Sequence, residues 1–400
     1  MRILAGCDWF GPGVGGGAER VAWEVYRRLA ADGHQITVVA TIPEHRSFPD
    51  VGPNLSVIPV PSLDLTPVLR VQLSLARGLH PAFRDAADTL RPDVVHANSL
   101  QFQTTRGATW LARDRGLPLV VTAHLADLGA FPGWVGTAAT VHERFIGAPM
   151  LRGASRAIAV SDAVARHVRA IAPLVPVDVV CNGVDLGSFP PRTGERRPGP
   201  PRLGIVGRLV PNKGVTVALD AVAGLRARGV AAELWVIGDG PLRRSLEARS
   251  VALGIGPSVV FLGHREDIGD LLADLDVLLR PSYTEGMSLA LLEAMSVGVP
   301  IVASDIEGNA TIVTHGVTGL LAPAGDAEAL ARAIERLLLD PGEARRLAAR
   351  ASELVHEMSW EATTAGTLAS LQRAADPAPV PLARDRADGS RPTHHAEAQP

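Results

Sequence analysis

A single lysine occurs in the 400 residues, Lys213, in the stretch GRLVPNKG, five positions after Arg208. Elsewhere the chain meets its need for cations with arginine. Arg208 follows the apolar run RLGIVG, and Lys213 stands just before a stretch of helical period, so the two flank a strand-to-helix turn. On a diphosphate, arginine is a planar two-pronged clamp and lysine a compact charge that can reorient. The bland reading, a surface cation at a helix start, is electrostatically unfavourable, because the helix N-terminus is itself positive. An anion bound between Arg208 and Lys213 removes that conflict.

Two carboxylates come next, Glu285 and Glu293 in YTEGMSLALLEAMSVG, eight positions apart. Eight residues of helix rise about 12 Å, whereas the carboxylates of a glycoside hydrolase face each other across roughly 5–9.5 Å. Glu285 and Glu293 therefore address different parts of one extended ligand. Glu285 lies in a loop beside Gly286, and Glu293 lies inside a helix amid Leu291, Leu292, Ala294 and Met295. A carboxylate in such apolar company either points out of the core or accepts from donors such as ribose hydroxyls. GPGVGG, residues 11–16, follows a first apolar run and precedes a helix. A dinucleotide site would add an acid at the end of the second strand, but QITVVAT ends in Ala40 and Thr41, which disfavours NAD. The bare N–H groups of the glycine loop still suit a phosphate. His124 ends the run PLVVTAH, where structural and functional roles both fit, and His96 in DVVHAN suits packing. The pair His394 and His395 reads as a solvated tail and not as a metal site.

These residues need a scaffold that aims them at one place. Short apolar runs alternate with amphipathic stretches along the chain, the rhythm of βαβ units and parallel sheets. The rhythm breaks once, at LGSFPPRTGERRPGPP (residues 186–201), and then restarts. It divides the chain into an N-terminal Rossmann-like domain (1–185), a linker (186–201), a second Rossmann-like domain (202–357), a closing helix packing back on the first domain (358–375) and a disordered tail (376–400). Ligands of such sheets bind outside the carboxyl ends of the strands, so a cleft between the halves is expected. The hydrophobic content of 46% suits a globular chain, and the net charge of −3 argues against a nucleic-acid partner. Two cysteines far apart, no leader-like start and no apolar run of membrane length suggest a cytoplasmic protein.

Together the segments GGGAERVA, DVVHAN, AVSDAV, NGVD, VGRLVPNKG, VIGDGPLRRSLE, FLGHRED, PSYTEGMSLALLEAMSVGVPIVAS and HGVTGLLAPAGD resemble a retaining, GT-B-fold glycosyltransferase of the glycogen-synthase-like group, glycosyltransferase family 4. The resemblance runs in order over about residues 1–375. It implies a nucleotide-sugar donor, most commonly a UDP-sugar, and a small-molecule, glycan or lipid acceptor, with no cofactor and no metal. Arg208 and Lys213 would neutralise charge building on the departing nucleoside diphosphate. Glu285 would contact the donor sugar, the backbone N–H groups of Gly286, Met287 and Ser288 would cradle sugar and phosphate, and Glu293 would bind the ribose. Gly263, His264 and Arg265 stand where the family places the nucleobase. Gly16 and Gly17 would close on the phosphates, and His124 would face the acceptor or the donor sugar.

The sequence departs from the family pattern in places. Met287 replaces a common phenylalanine, and in EGNATIV Thr311 stands where a glutamate is frequent. Residues 43–50 and 131–140 read as mobile lids in the acceptor-facing loops. Arg70, Arg77 and Arg84, seven apart, could form a basic helix face for peripheral membrane contact, against the commoner solvated face. A GT-B epimerase and a catalytically silent sugar-nucleotide-binding module are the alternative functions. A phosphorylase fits less well, since it would need a pyridoxal-binding lysine.

Overall fold

The structure, a computed structural model, describes residues 1–11, 15–43, 51–66, 74–131, 133–192 and 199–376. The tail read as disordered (except Asp376), lid residues 44–50, Arg70 and linker residues 193–198 lie outside the described residues.

The first sheet contains β1 (Arg2–Asp8), β2 (Gln35–Pro43), β3 (Leu55–Asp64), β4 (Ser74–Ala76), β5 (Val94–Ala97), β6 (Leu119–Ala123), β7 (Arg156–Ala159) and β8 (Val177–Val179). Their order is β4-β3-β2-β1-β5-β6-β7-β8. The second contains β9 (Arg202–Val206), β10 (Glu233–Ile237), β11 (Val259–Gly263), β12 (Val277–Arg280), β13 (Ile301–Asp305) and β14 (Leu320–Pro323), ordered β11-β10-β9-β12-β13-β14. Apart from the antiparallel pair β3–β4, the pairings are parallel, for example Ile3 beside Ile36 and Leu203 beside Val277. Central strands such as β5, β6 and β12 are buried throughout, because helices cover both faces of a parallel sheet. Their sequences, VVHA, LVVTA and VLLR, are accordingly largely apolar and without alternation.

These are two doubly wound halves, the GT-B architecture. In each, the chain builds outward from one central strand, then returns to the centre and builds the other way. The switch falls between β1 and β5 in the first sheet and between β9 and β12 in the second. A crevice opens at such a switch. The loops carrying Gly16, Arg208, Lys213 and Glu285 all leave strands at these two places.

The helix Trp360–Ala375 returns to the first half and packs against the helix Gly17–Ala31. Its Ser359 cap accepts from Ala362 N, and Trp360 is buried in the core that holds Phe10, Tyr26 and Leu29. Gly183 permits this crossing: a Cβ there would stand 2.4 Å from Trp360 N.

Two expectations need correction. Arg77 and Arg84 do not share a helix face, because Ser74–Ala76 is a strand and the helix begins only at Leu79, after Gly78 at φ 90°. The strand is fixed by Ser74, whose buried hydroxyl lies 3.2 Å from Thr41 Oγ1 and 3.4 Å from Asp8 Oδ2. The stretch 131–140 is largely the helix Trp134–His142 and not a loop. Gly136 lets that helix lie against the preceding turn, where a Cβ would meet Phe131 O at 2.5 Å. None of the described helices is long and apolar enough to cross a membrane.

Candidate active site

Glu285 is the centre of a buried ion cluster. After β12 the chain turns through Pro281 and Ser282, and Tyr283 N donates to Asn212 O (2.8 Å), tying this turn to the loop that follows β9. Gly214, at φ 64°, makes the approach possible, since a Cβ on it would sit 1.9 Å from Pro281 O. Lys213, one residue earlier, is thereby brought to Glu285 and donates to Oε1 at 2.9 Å and Oε2 at 3.0 Å. Arg280 Nη2 lies 2.6 Å from Oε1, and Ser282 Oγ donates to the same oxygen at 2.7 Å. Burial works to raise the Glu285 pKa, but Arg280, Lys213 and the hydrogen bonds outweigh it and hold the carboxyl at about 2. Lys213 is pushed down to about 8, first by burial and then by Arg280, against the pull of Glu285.

Arg208 lies five residues before Lys213 in the same loop, its guanidinium carbon 5.6 Å from the centroid of the Trp9 ring of the first half. Burial lowers its pKa while Glu19 and Asp64 favour its charge. Gly16 faces it, close enough that a Cβ would be 4.0 Å from Arg208 Nη1, and Gly17 abuts Leu289 at 3.9 Å by the same measure. Gly16 of one half thus lies against the cationic loop of the other. Gly16 N, at the start of the first helix, donates to Glu19 Oε2 at 2.8 Å, so an anion already sits on this helix N-terminus.

Glu293, 3% exposed, points inward and pairs across the cleft with Arg20 of the first half. Burial raises its pKa, and Arg20 and Arg280 oppose that rise. His124 presents its carbonyl to Gly286, where a Cβ would be 1.9 Å away, so only glycine fits between the domains here. Burial lowers the His124 pKa to about 4, leaving the ring neutral at pH 7. Met287 is held by Asn182, whose Nδ2 donates to Met287 O at 3.0 Å. Ser288 precedes the helix Leu289–Val297. The side-chain atoms His124 Nε2, Ser288 Oγ, Asn182 Oδ1 and Arg280 Nε are all shut from solvent without a hydrogen-bond partner. Such atoms are rare in a folded chain, and four of them in one region mark a place built for polar contact.

Arg208, Lys213, Glu285, Gly286, Met287, Ser288, Glu293, His124, Gly16 and Gly17 therefore meet where the two halves touch. Gly263, His264 and Arg265 do not join the ion cluster. Gly263 ends β11 and His264 and Arg265 follow it, separated from β9 by β10, and Arg265 is paired with Asp267 at 2.5 Å. Among the described residues no group of three or more His, Cys, Asp and Glu is placed to hold a metal ion. His96 is a packing residue: Nδ1 lies 2.8 Å from Tyr26 Oη and Nε2 2.8 Å from Thr122 Oγ1. Sequence reasoning missed Arg280, Ser282, Arg20, Asn182 and Gly308, the last lying so close that a Cβ would meet Glu285 O at 2.1 Å. One signal was available, an arginine closing the otherwise apolar run VLLR.

The site brings two cations, Arg208 and Lys213, and two separate carboxylates, Glu285 and Glu293, to the meeting of the halves. Comparison with known proteins gives the family. A family described as "Glycosyltransferase Family 4" matches residues 15–188, and one described as "Glycosyl transferases group 1" matches residues 200–340. A D-inositol 3-phosphate glycosyltransferase of Salinispora arenicola is 32% identical over 330 residues, 75% of this chain and 70% of the relative. A glycogen synthase of Mycobacterium tuberculosis is 28% identical over 388 residues, 92% of this chain and 93% of its own length. Among solved structures, the sucrose-phosphate synthase of Thermosynechococcus elongatus superposes with a TM-score of 0.79 at 22% identity, covering 94% of this chain and all of that one. Anabaena HepE, solved with UDP and glucose, gives 0.73 at 22% identity and covers 93% of this chain. With both halves matched in order and the fold shared, the chain belongs to the group 1 glycosyltransferases of GT-B fold.

Proposed function

We propose that the protein transfers a sugar from a UDP-sugar to a small-molecule, glycan or lipid hydroxyl, with retention of anomeric configuration and without a metal ion. The observation that carries this reading is the ion cluster at the strand ends, in which Glu285 is shared by Lys213 and Arg280 beside Arg208. The names of similar proteins support it. Relatives are glycosyltransferases, and HepE has been solved with UDP and with UDP-glucose.

In this reading the diphosphate lies between Arg208 and Lys213. Glu285 accepts from hydroxyls of the donor sugar, and the N–H groups of Gly286, Met287 and Ser288 face the sugar and phosphate. Glu293 takes the ribose, Gly16 and Gly17 close over the phosphates, Gly263, His264 and Arg265 border the base, and neutral His124 faces the sugar or the acceptor. The bond from the anomeric carbon to the β-phosphate oxygen breaks, and its electron pair leaves with the phosphate. The acceptor oxygen forms its bond on the same face and passes its proton to a phosphate oxygen. Arg208 and Lys213 stabilise the charge that develops, an effect typically worth about 10²–10³ in rate per donor. Incubation with UDP-sugars and a panel of acceptors, read by UDP release and by NMR of the product anomer, tests the reading. The expected result is a retained anomer and a rate indifferent to EDTA; an inverted anomer, or loss of activity in EDTA, would refute it.

A further inference from the structure

We propose that Arg280 is a positioning residue for this transfer, holding Glu285 so that Lys213 can leave it for the diphosphate. The inference rests on the reading that Arg208 and Lys213 receive the donor phosphates. Arg280 is fixed at two points: Nη1 donates to Val206 O at 2.8 Å, at the end of β9, and Nη2 lies 2.6 Å from Glu285 Oε1. The two side chains are each 7% exposed. Ser282 shares the same carboxylate oxygen, so Glu285 keeps a cation and a hydroxyl on Oε1 when Lys213 departs.

The charge arithmetic supports the role. Glu285 carries one negative charge, and Arg280 and Lys213 carry two positive ones, leaving an excess cation for an incoming anion. Without Arg280, Lys213 would be the only cation on a buried carboxylate and would stay there, because breaking a buried pair leaves an uncompensated charge. The groups that face Lys213 are Glu285, Arg280 and Arg208. Glu19 and Asp64 of the first half face Arg208 in turn. Two of the three neighbours of Lys213 are cations, and removing one strengthens the hold of the Glu285 carboxylate on the ammonium, so Lys213 keeps its proton to higher pH.

The test compares wild type with Arg280→Met and Arg280→Lys, measuring kcat, KM and the pH profile with UDP-sugar. In Arg280→Met, kcat is expected to fall roughly 10²-fold with a smaller change in KM. The alkaline limb of kcat/KM should move up from about 8, since Lys213 has lost a like-charged neighbour. Arg280→Lys, which keeps the charge, should recover most of the rate and return the limb to the wild-type position. A merely structural role would lower melting temperature and rate together and leave the limb in place, and that outcome overturns the proposal. If Arg280→Met does not fold, Arg280→Gln, which keeps an amide donor without the charge, carries the same comparison. Absence of turnover by the wild-type protein is a separate outcome, which removes the transfer reading and the proposal with it.

Discussion

At the residue scale, the chemistry depends on keeping charges in a buried place. Lys213, at about 8, is charged at neutral pH and becomes neutral above that value. For a rate that needs the ammonium, kcat/KM should fall toward tenfold per pH unit above about pH 8. Lys213→Ala should lower kcat roughly 10²–10³-fold with the circular dichroism spectrum unchanged; full activity in that variant would remove Lys213 from the mechanism. Stability has its own pH dependence. His124 and His96 titrate at about 4 and about 3 when folded, against 6.5 for the ordinary side chain. Between those values the unfolded chain binds the extra protons, so the contribution of these two histidines is flat above pH 6.5 and declines as pH falls toward 4. Glu285 adds to the decline below its ordinary 4.5. Melting temperatures between pH 7 and 4 should show this fall, and His96→Gln should make it shallower. Lys213 and Glu293 were legible in the sequence because each is the wrong kind of residue for its surroundings, and Glu285 because it stands eight positions before Glu293. Arg280 was not, because its burial is set by Val206, 74 residues away, and a terminal arginine on a strand reads equally well as solvent-facing.

At the element scale, the strands could be read from their apolar runs, since a strand covered on both faces has no alternation to hide it. The helices after them followed from their periodicity. The strand Ser74–Ala76 could not be read, because three residues make no run and its pairing with β3 depends on a buried hydroxyl contact with Asp8 of β1. Close approach between elements was equally hidden. Gly308 lies in the short helix Glu307–Ala310, which leans on the loop carrying Glu285. Gly308→Ala should force that loop aside, costing about 1–3 kcal/mol of stability as overpacking commonly does. Transfer should suffer more than stability, because Glu285 moves with the loop. A normal rate and melting temperature in Gly308→Ala would mean that the loop has room the structure does not show.

At the scale of the whole molecule, function follows from how two sheets are wound. Each half places its switch-point loops at one end, and the halves meet at those ends, so residues from 16 to 293 in the chain share a site. The closing helix joins the halves by returning to the first one, and Trp360 is its anchor. Trp360→Ala should cost about 3–5 kcal/mol, seen as a lower urea midpoint, although the residue lies outside the site. A midpoint equal to wild type would show that the returning helix is dispensable. The alternation of runs made the fold class readable. The Arg20–Glu293 contact across the cleft was not readable, because it depends on the spacing between halves. The most direct test of the central claim is calorimetric titration of UDP, in EDTA, into wild-type protein and Lys213→Ala. The account predicts binding by the wild type and at least tenfold weaker binding by the variant, both remaining folded. Equal affinities, or no binding by well-folded wild type, would contradict it.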